Sequence, residues 1–203
     1  MKRIVFTIGL LASSVVLAAG LPPEVVKLIP KGFEVLSYAA GPLDDGKRPG
    51  YLVVVHRHVD TRGEPSPRPL LIVTQNPGGT FKLAARNDAV VMHADDALQC
   101  DPFTDNGDSG LAIKDRYFTV QNEVACGQHW SDYITFHYDA GRRDWLFHKE
   151  IVQSSHLGDD PNGDALQADP AKVTKADSKH PVTFGQWRPE DWCREHKNDP
   201  ACR

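Results

Sequence analysis

Apolar residues recur along the chain in short runs, many with a period of two, separated by stretches rich in Gly, Pro and Asp. That pattern predicts β-strands joined by turns. Phe33 to Ala39 is one predicted strand. Tyr51 to Val59 is the next, and its unbroken run Tyr51-Leu52-Val53-Val54-Val55 predicts burial on both faces. Leu70 to Gln75 is a third, ended by the turn Asn76-Pro77-Gly78-Gly79. Thr80 to Arg86 alternates, with Phe81, Leu83 and Ala85 on one face and Lys82 and Arg86 on the other. Leu111 to Ile113 and Tyr117 to Ala125 flank Lys114-Asp115-Arg116 and predict a hairpin, with Phe118, Val120 and Val124 sharing a face with Cys126. Tyr133 to Tyr138 and Trp145 to Ile151 predict another, around the turn 139–143.

The connecting segments are polar. Residues 60–69 carry Pro65, Pro67 and Pro69 and read as an exposed loop; 94–110 are irregular and Asp/Gly-rich; 153–181 read as a long polar surface excursion. Pro22 and Pro23 open a brief N-terminal helix around Val25 to Ile29. The tail predicts a short strand, Val182 to Phe184, and a short helix opened by Pro189-Glu190-Asp191. The expected fold class is all-β, or β-rich. It is an antiparallel meander of hairpins forming a sandwich or a partly closed, propeller-like sheet, with short N- and C-terminal helices.

The first residues follow the three-part export pattern. Lys2 and Arg3 precede an apolar run from Ile4 to Leu17, and small residues Ala18, Ala19 and Gly20 follow. The run falls short of the ~20 residues a membrane span needs, so it reads as a cleavable signal peptide over 1–18, with a single periplasmic or secreted domain over 19–203. Loss of Lys2 and Arg3 takes the basic count from 23 to 21 against 27 acids, and the formal net charge from −4 to −6. With no basic run, nucleic acid and anionic membrane surfaces are poor partners.

The four cysteines, Cys100, Cys126, Cys193 and Cys202, all lie beyond the signal. An even number in an exported chain predicts two disulfides. The local pairing, Cys100–Cys126 and Cys193–Cys202, closes the shortest loops, and each bond would contribute roughly 2–4 kcal/mol by restricting the unfolded chain. Spacings of 26, 67 and 9 match no usual zinc pattern.

With strands placed, a longer pattern emerges. Ile29-Pro30-Lys31-Gly32-Phe33-Glu34-Val35-Leu36 leads into Ala40-Gly41-Pro42-Leu43-Asp44-Asp45-Gly46. The run from Tyr51 follows, then Arg68-Pro69-Leu70-Leu71-Ile72-Val73, Phe81 to Asn87, Asp101-Pro102-Phe103, the hairpin at 111–126, Tyr133 to Tyr138 and Trp145. Over residues 28–150 this resembles a broad family of largely uncharacterised bacterial envelope proteins distantly like FG-GAP/VCBS proteins. The resemblance implies an extracytoplasmic β domain and no particular activity. It also implies a calcium-type loop before the second strand, of which Asp44, Asp45 and Gly46 are present, while Pro42 and Gly50 stand where ligands are expected.

Other candidate chemistry is sparse. Asp160-Pro161-Asn162-Gly163-Asp164 opens like an EF-hand loop, but Ala165 replaces the Gly and Ala171 the closing Glu, which favours a solvated acidic loop. Gly107-Asp108-Ser109-Gly110 matches the nucleophile loop of chymotrypsin-like hydrolases, but Leu111 replaces the following Gly and no upstream His has the right context. His56 and His58 share a strand face without an identifiable third ligand; His129 and His137 read as structural. Trp187 and Trp192 bracket the tail helix and read as anchors rather than as a sugar platform.

No catalytic, cofactor-binding or metal set is therefore predicted, calcium being the one cation that the acidic loops suggest. The expected function is a non-enzymatic periplasmic module that binds a protein partner in the envelope, for instance as an inhibitor or immunity-type protein for an envelope hydrolase. The alternatives are a secreted serine hydrolase using Ser109 and a calcium-stabilised structural protein.

Overall fold

The computed structural model describes residues 20–46, 48–57, 66–93, 101–104, 110–124, 129–158 and 166–189. They form two antiparallel sheets, neither closed into a barrel, preceded by one short helix. The helix α1 is Pro23–Val26, with Pro at its first turn, where a missing N–H costs nothing. The first sheet is the meander β1 (Phe33–Gly41), β2 (Gly50–Arg57), β3 (Leu70–Gln75) and β4 (Phe81–Asn87), in that order. The second sheet follows, comprising β5 (Leu111–Lys114), β6 (Tyr117–Val124), β7 (Trp130–Asp139), β8 (Asp144–Leu157), β9 (Leu166–Ala168) and β10 (Lys172–Lys175). Its spatial order is β10-β8-β7-β6-β5, with β9 paired to β8.

The main core lies between the sheets. Leu52, Val54, Leu70 and Ile72 from the first meet Phe118, Val120, Ile134 and Phe136 from the second. Phe184 closes the cluster from the tail, edge-on to both Phe118 and Phe136. The reading of β2 as covered on both faces holds. Leu52 and Val54 point into this core, whereas Val53 and Val55 point the other way, with Leu71 and Val73, under the N-terminal segment carrying Val25. The short helix thus shields the outer face of the first sheet.

Three details depart from the predicted elements. A β-bulge in β4 pairs Ile72 with Ala85 but Val73 with Leu83, leaving Ala84 as the extra residue. It switches the face, so Phe81 joins the outer cluster, Ala85 the main core, and Leu83 is left exposed. The described residues of the stretch 153–181 stay at the surface as predicted but include regular structure, because β8 runs on to Leu157 and both β9 and β10 pair back onto it. Main-chain pairing holds these strands where apolar burial does not, since β10 is exposed along its length. The tail contributes an isolated bridge, Leu146 to Thr183, in place of a strand. The predicted signal peptide, the C-terminal helix and all four cysteines lie outside the described residues.

The hairpin between β5 and β6 shows how a tight turn sets register. Lys114 pairs with Tyr117, leaving a two-residue loop. Asp115 and Arg116 both have positive φ, 49° and 69°, the conformation whose twist suits a hairpin.

Candidate functional site

In β6 the side chains Phe118, Val120, Asn122 and Val124 alternate inward, and all four are buried. In β7 the residues paired with them are Phe136, Ile134, Asp132 and Trp130. Both rows are apolar except at one matched position, where Asn122 faces Asp132 across the ladder.

Asn122 bonds to the main chain through both ends of its amide. Its amide group donates to Val90 O at 3.0 Å, and its Oδ1 accepts from Met92 N at 3.0 Å. These bonds fasten the segment after β4 against the second sheet. Buried polar groups need such partners, because an unmade bond there costs more than a made one contributes. Asp132 is not satisfied in this way: its Oδ1 is buried without a hydrogen-bond partner. Burial pushes the Asp132 carboxyl up to about 7 from 3.8, the nearby Glu150 charge adds to the rise, and a hydrogen bond from Asn122 opposes it.

Asp132 lines a cleft of about 470 Å³ at the end of the inter-sheet core. Trp130, Ile134 and Asn122 form the sheet wall, the segment 88–93 the opposite wall, and Trp187 and Arg188 one end. Trp187 is buried, edge-on to Phe136. Asn87 holds it from the other side, its amide donating to the carbonyls of Phe184, at 2.5 Å, and Trp187, at 3.0 Å. Arg188 turns back on its own segment, donating through Nη1 to the carbonyls of Gly185 and Trp187. The chemistry is a mostly apolar slot with one under-satisfied carboxyl, the arrangement expected of a binding site.

The other candidates are placed differently. Asp44 accepts from Gly46 N at 2.7 Å and faces Arg48 at 3.8 Å, while Asp45 pairs with Arg116. Those carboxylates tie a turn together and link it to the β5–β6 hairpin. His56 lies 3.2 Å from Glu34 on the neighbouring strand. His137 stacks on Tyr117 and meets His148 edge-on, on the face away from the core. Among the described residues no three His, Cys, Asp or Glu side chains come together as metal ligands, and no helix is long and apolar enough to cross a membrane. His58, Ser109, Asp160 to Asp164, Trp192 and the disulfide candidates Cys100, Cys126, Cys193 and Cys202 lie outside the described residues.

Sequence reasoning missed Asp132 because the predicted strand began at Tyr133. The signal was present in the spacing Trp130-x-Asp132-x-Ile134-x-Phe136, a polar residue inside an apolar alternate row. No protein-family model, no curated protein and no solved structure matches this chain.

Proposed function

We propose that the protein is a non-enzymatic binding module of the cell envelope, and that the cleft beside Asp132 is its binding site. The observation that carries this is Asp132, which lines that cleft and whose Oδ1 is buried without a hydrogen-bond partner. A carboxyl oxygen buried without a partner costs stability that a partner group can restore.

The envelope location rests on the export pattern of residues 1–18 and on the even cysteine count. The resemblance to FG-GAP/VCBS-like envelope proteins agrees with that location and with the β architecture. Action as an inhibitor or immunity-type protein for an envelope hydrolase is one form of the role, with the cleft receiving a side chain of the partner.

The test is ¹⁵N-resolved NMR with a fragment set containing neutral, cationic and anionic members. Binding fragments are expected to shift the amides of residues 88–93, 122 and 130–134 together. A set that leaves those amides unmoved while the protein is folded overturns the site.

A further inference from the structure

We infer that the cleft takes the ammonium or guanidinium end of a cationic ligand, with the Asp132 carboxylate as its counter-ion and the Trp130 ring beside it. The inference rests on the cleft being the binding site and goes on to name the chemistry of the occupant.

What the site lacks identifies what fits it. The free Asp132 Oδ1 is an acceptor in need of a donor. The charge acting on it within the fold is negative, from Glu150 on β8, so an incoming cation relieves a repulsion as well as filling a hydrogen bond. An anion meets the opposite situation. An uncharged hydroxyl satisfies the bond but leaves the repulsion in place. The rest of the lining mixes polar residues, Asp88, His93 and Arg188, with apolar ones, of which the half-buried Trp130 has ring surface left for the face of a cation.

Glu150 stands on β8, two residues along the same face from Val152, the residue paired with Asp132. Lys172 on β10 pairs with Val152 in turn, so it lies two strands from Asp132 in the same row. From the segment after β4, Asp88 and His93 line the cleft, and Asp88 is engaged by Arg86. From the tail, Arg188 is folded onto the carbonyls of Gly185 and Trp187. On β6 the facing residue is the uncharged Asn122.

The experiment measures calorimetric affinity and ¹⁵N shifts with agmatine and cadaverine as free cations, N-acetyl-lysine amide and N-acetyl-arginine amide as stand-ins for a partner's side chain, and 1,5-pentanediol as the neutral isostere of cadaverine. At least one cationic probe is expected to bind and shift Asn122, Asp132 and the Trp130 indole. Tighter binding by the free amines points to a small metabolite, and tighter binding by the capped residues to a protein partner. Affinity is expected to rise about thirtyfold from pH 5.5 to pH 8 as the carboxyl ionises. Asp132→Asn is expected to weaken the cations at least tenfold and to remove most of that rise. Trp130→Leu, at the cleft wall, is expected to weaken them severalfold while Asp132 still titrates, which guards against a fold defect in a single variant. Equal affinity for 1,5-pentanediol and cadaverine, or cation affinity unchanged in Asp132→Asn, overturns the counter-ion role and leaves the cleft as a site. Cleft shifts with neutral or anionic fragments alone do the same. If no probe and no fragment moves the cleft amides, both readings fail.

Discussion

Asn122 and Asp132 stand directly opposite each other on β6 and β7, each the polar member of an otherwise apolar row. Asn122 has main-chain partners at both its nitrogen and its oxygen, whereas Asp132 Oδ1 has none, so the cost of the pair falls on Asp132. In the unfolded chain this carboxyl returns to 3.8, whereas the folded protein holds its proton up to about 7. Below the lower value both states are protonated and the group contributes nothing to the pH dependence. Between the two values the folded state binds more protons, so raising the pH destabilises it. Above the upper value the full cost applies, on the order of 4 kcal/mol. Asp132→Asn removes that titration. Its stability advantage over the wild type should be small near pH 4, grow through neutrality and level off above pH 8 in urea denaturation. Parallel stability curves for the two proteins contradict the assignment.

Replacing Asn122 by Ala strands the Val90 carbonyl and the Met92 amide inside the structure. The cost should be about 2–4 kcal/mol, from two unmade buried bonds. Because the Asn122 hydrogen bond holds the Asp132 proton affinity down, its loss should also move the Asp132 midpoint upward. Carboxyl ¹³C titration reads that shift. Lost stability with an unmoved midpoint separates the clamp on residues 90–92 from any influence on Asp132.

Much of the β framework was legible because its rows repeat with period two. Tyr51 to Val55 announced a two-sided strand, and Phe118 and Val120 announced an inward row. Bulges break that legibility, since one extra residue reverses every later side chain. Ala84 does this in β4, and in β8 the register slips between Thr135 and Phe136 so that His148 is the unpaired extra. Neither residue looks unusual in sequence. The strands β9 and β10 were hidden for another reason: exposed edge strands are held by main-chain bonds and need no apolar row. Asp132 was hidden because a polar residue at a strand start reads as solvent-facing until the partner row on β6 shows which way it points.

Gly110 and Gly79 both have positive φ, 63° and 85°, yet differ in what surrounds them. A Cβ on Gly110 would sit 2.5 Å from the Phe103 ring, whereas one on Gly79 meets nothing within 4 Å. Gly79→Ala should therefore cost only the backbone term, about 1 kcal/mol. Gly110→Ala should cost more, about 2–4 kcal/mol, because Phe103 is buried and its ring must shift within a packed core. Chemical denaturation of the two variants side by side tests this, and equal losses would show that the Phe103 ring gives way freely.

Arg68 and Asp101 form an ion pair at 2.6 Å with side chains only 4% and 7% exposed. Arg68 leads into β3, and Asp101 directly follows Cys100, so the pair pins the start of the turn in which Asp101 Oδ1 accepts from Phe103 N at 3.0 Å. Removing one partner leaves the other charge buried. Asp101→Asn should cost about 3–5 kcal/mol, whereas replacing both by well-packed apolar residues should recover most of it. The comparison is Asp101→Asn against the double variant Arg68→Met with Asp101→Leu, each by urea denaturation with the cysteines left in their native oxidation state. A double variant less stable than the single one would mean that the carboxylate's bond to the turn, rather than the neutralisation of Arg68, is what the fold needs at this position.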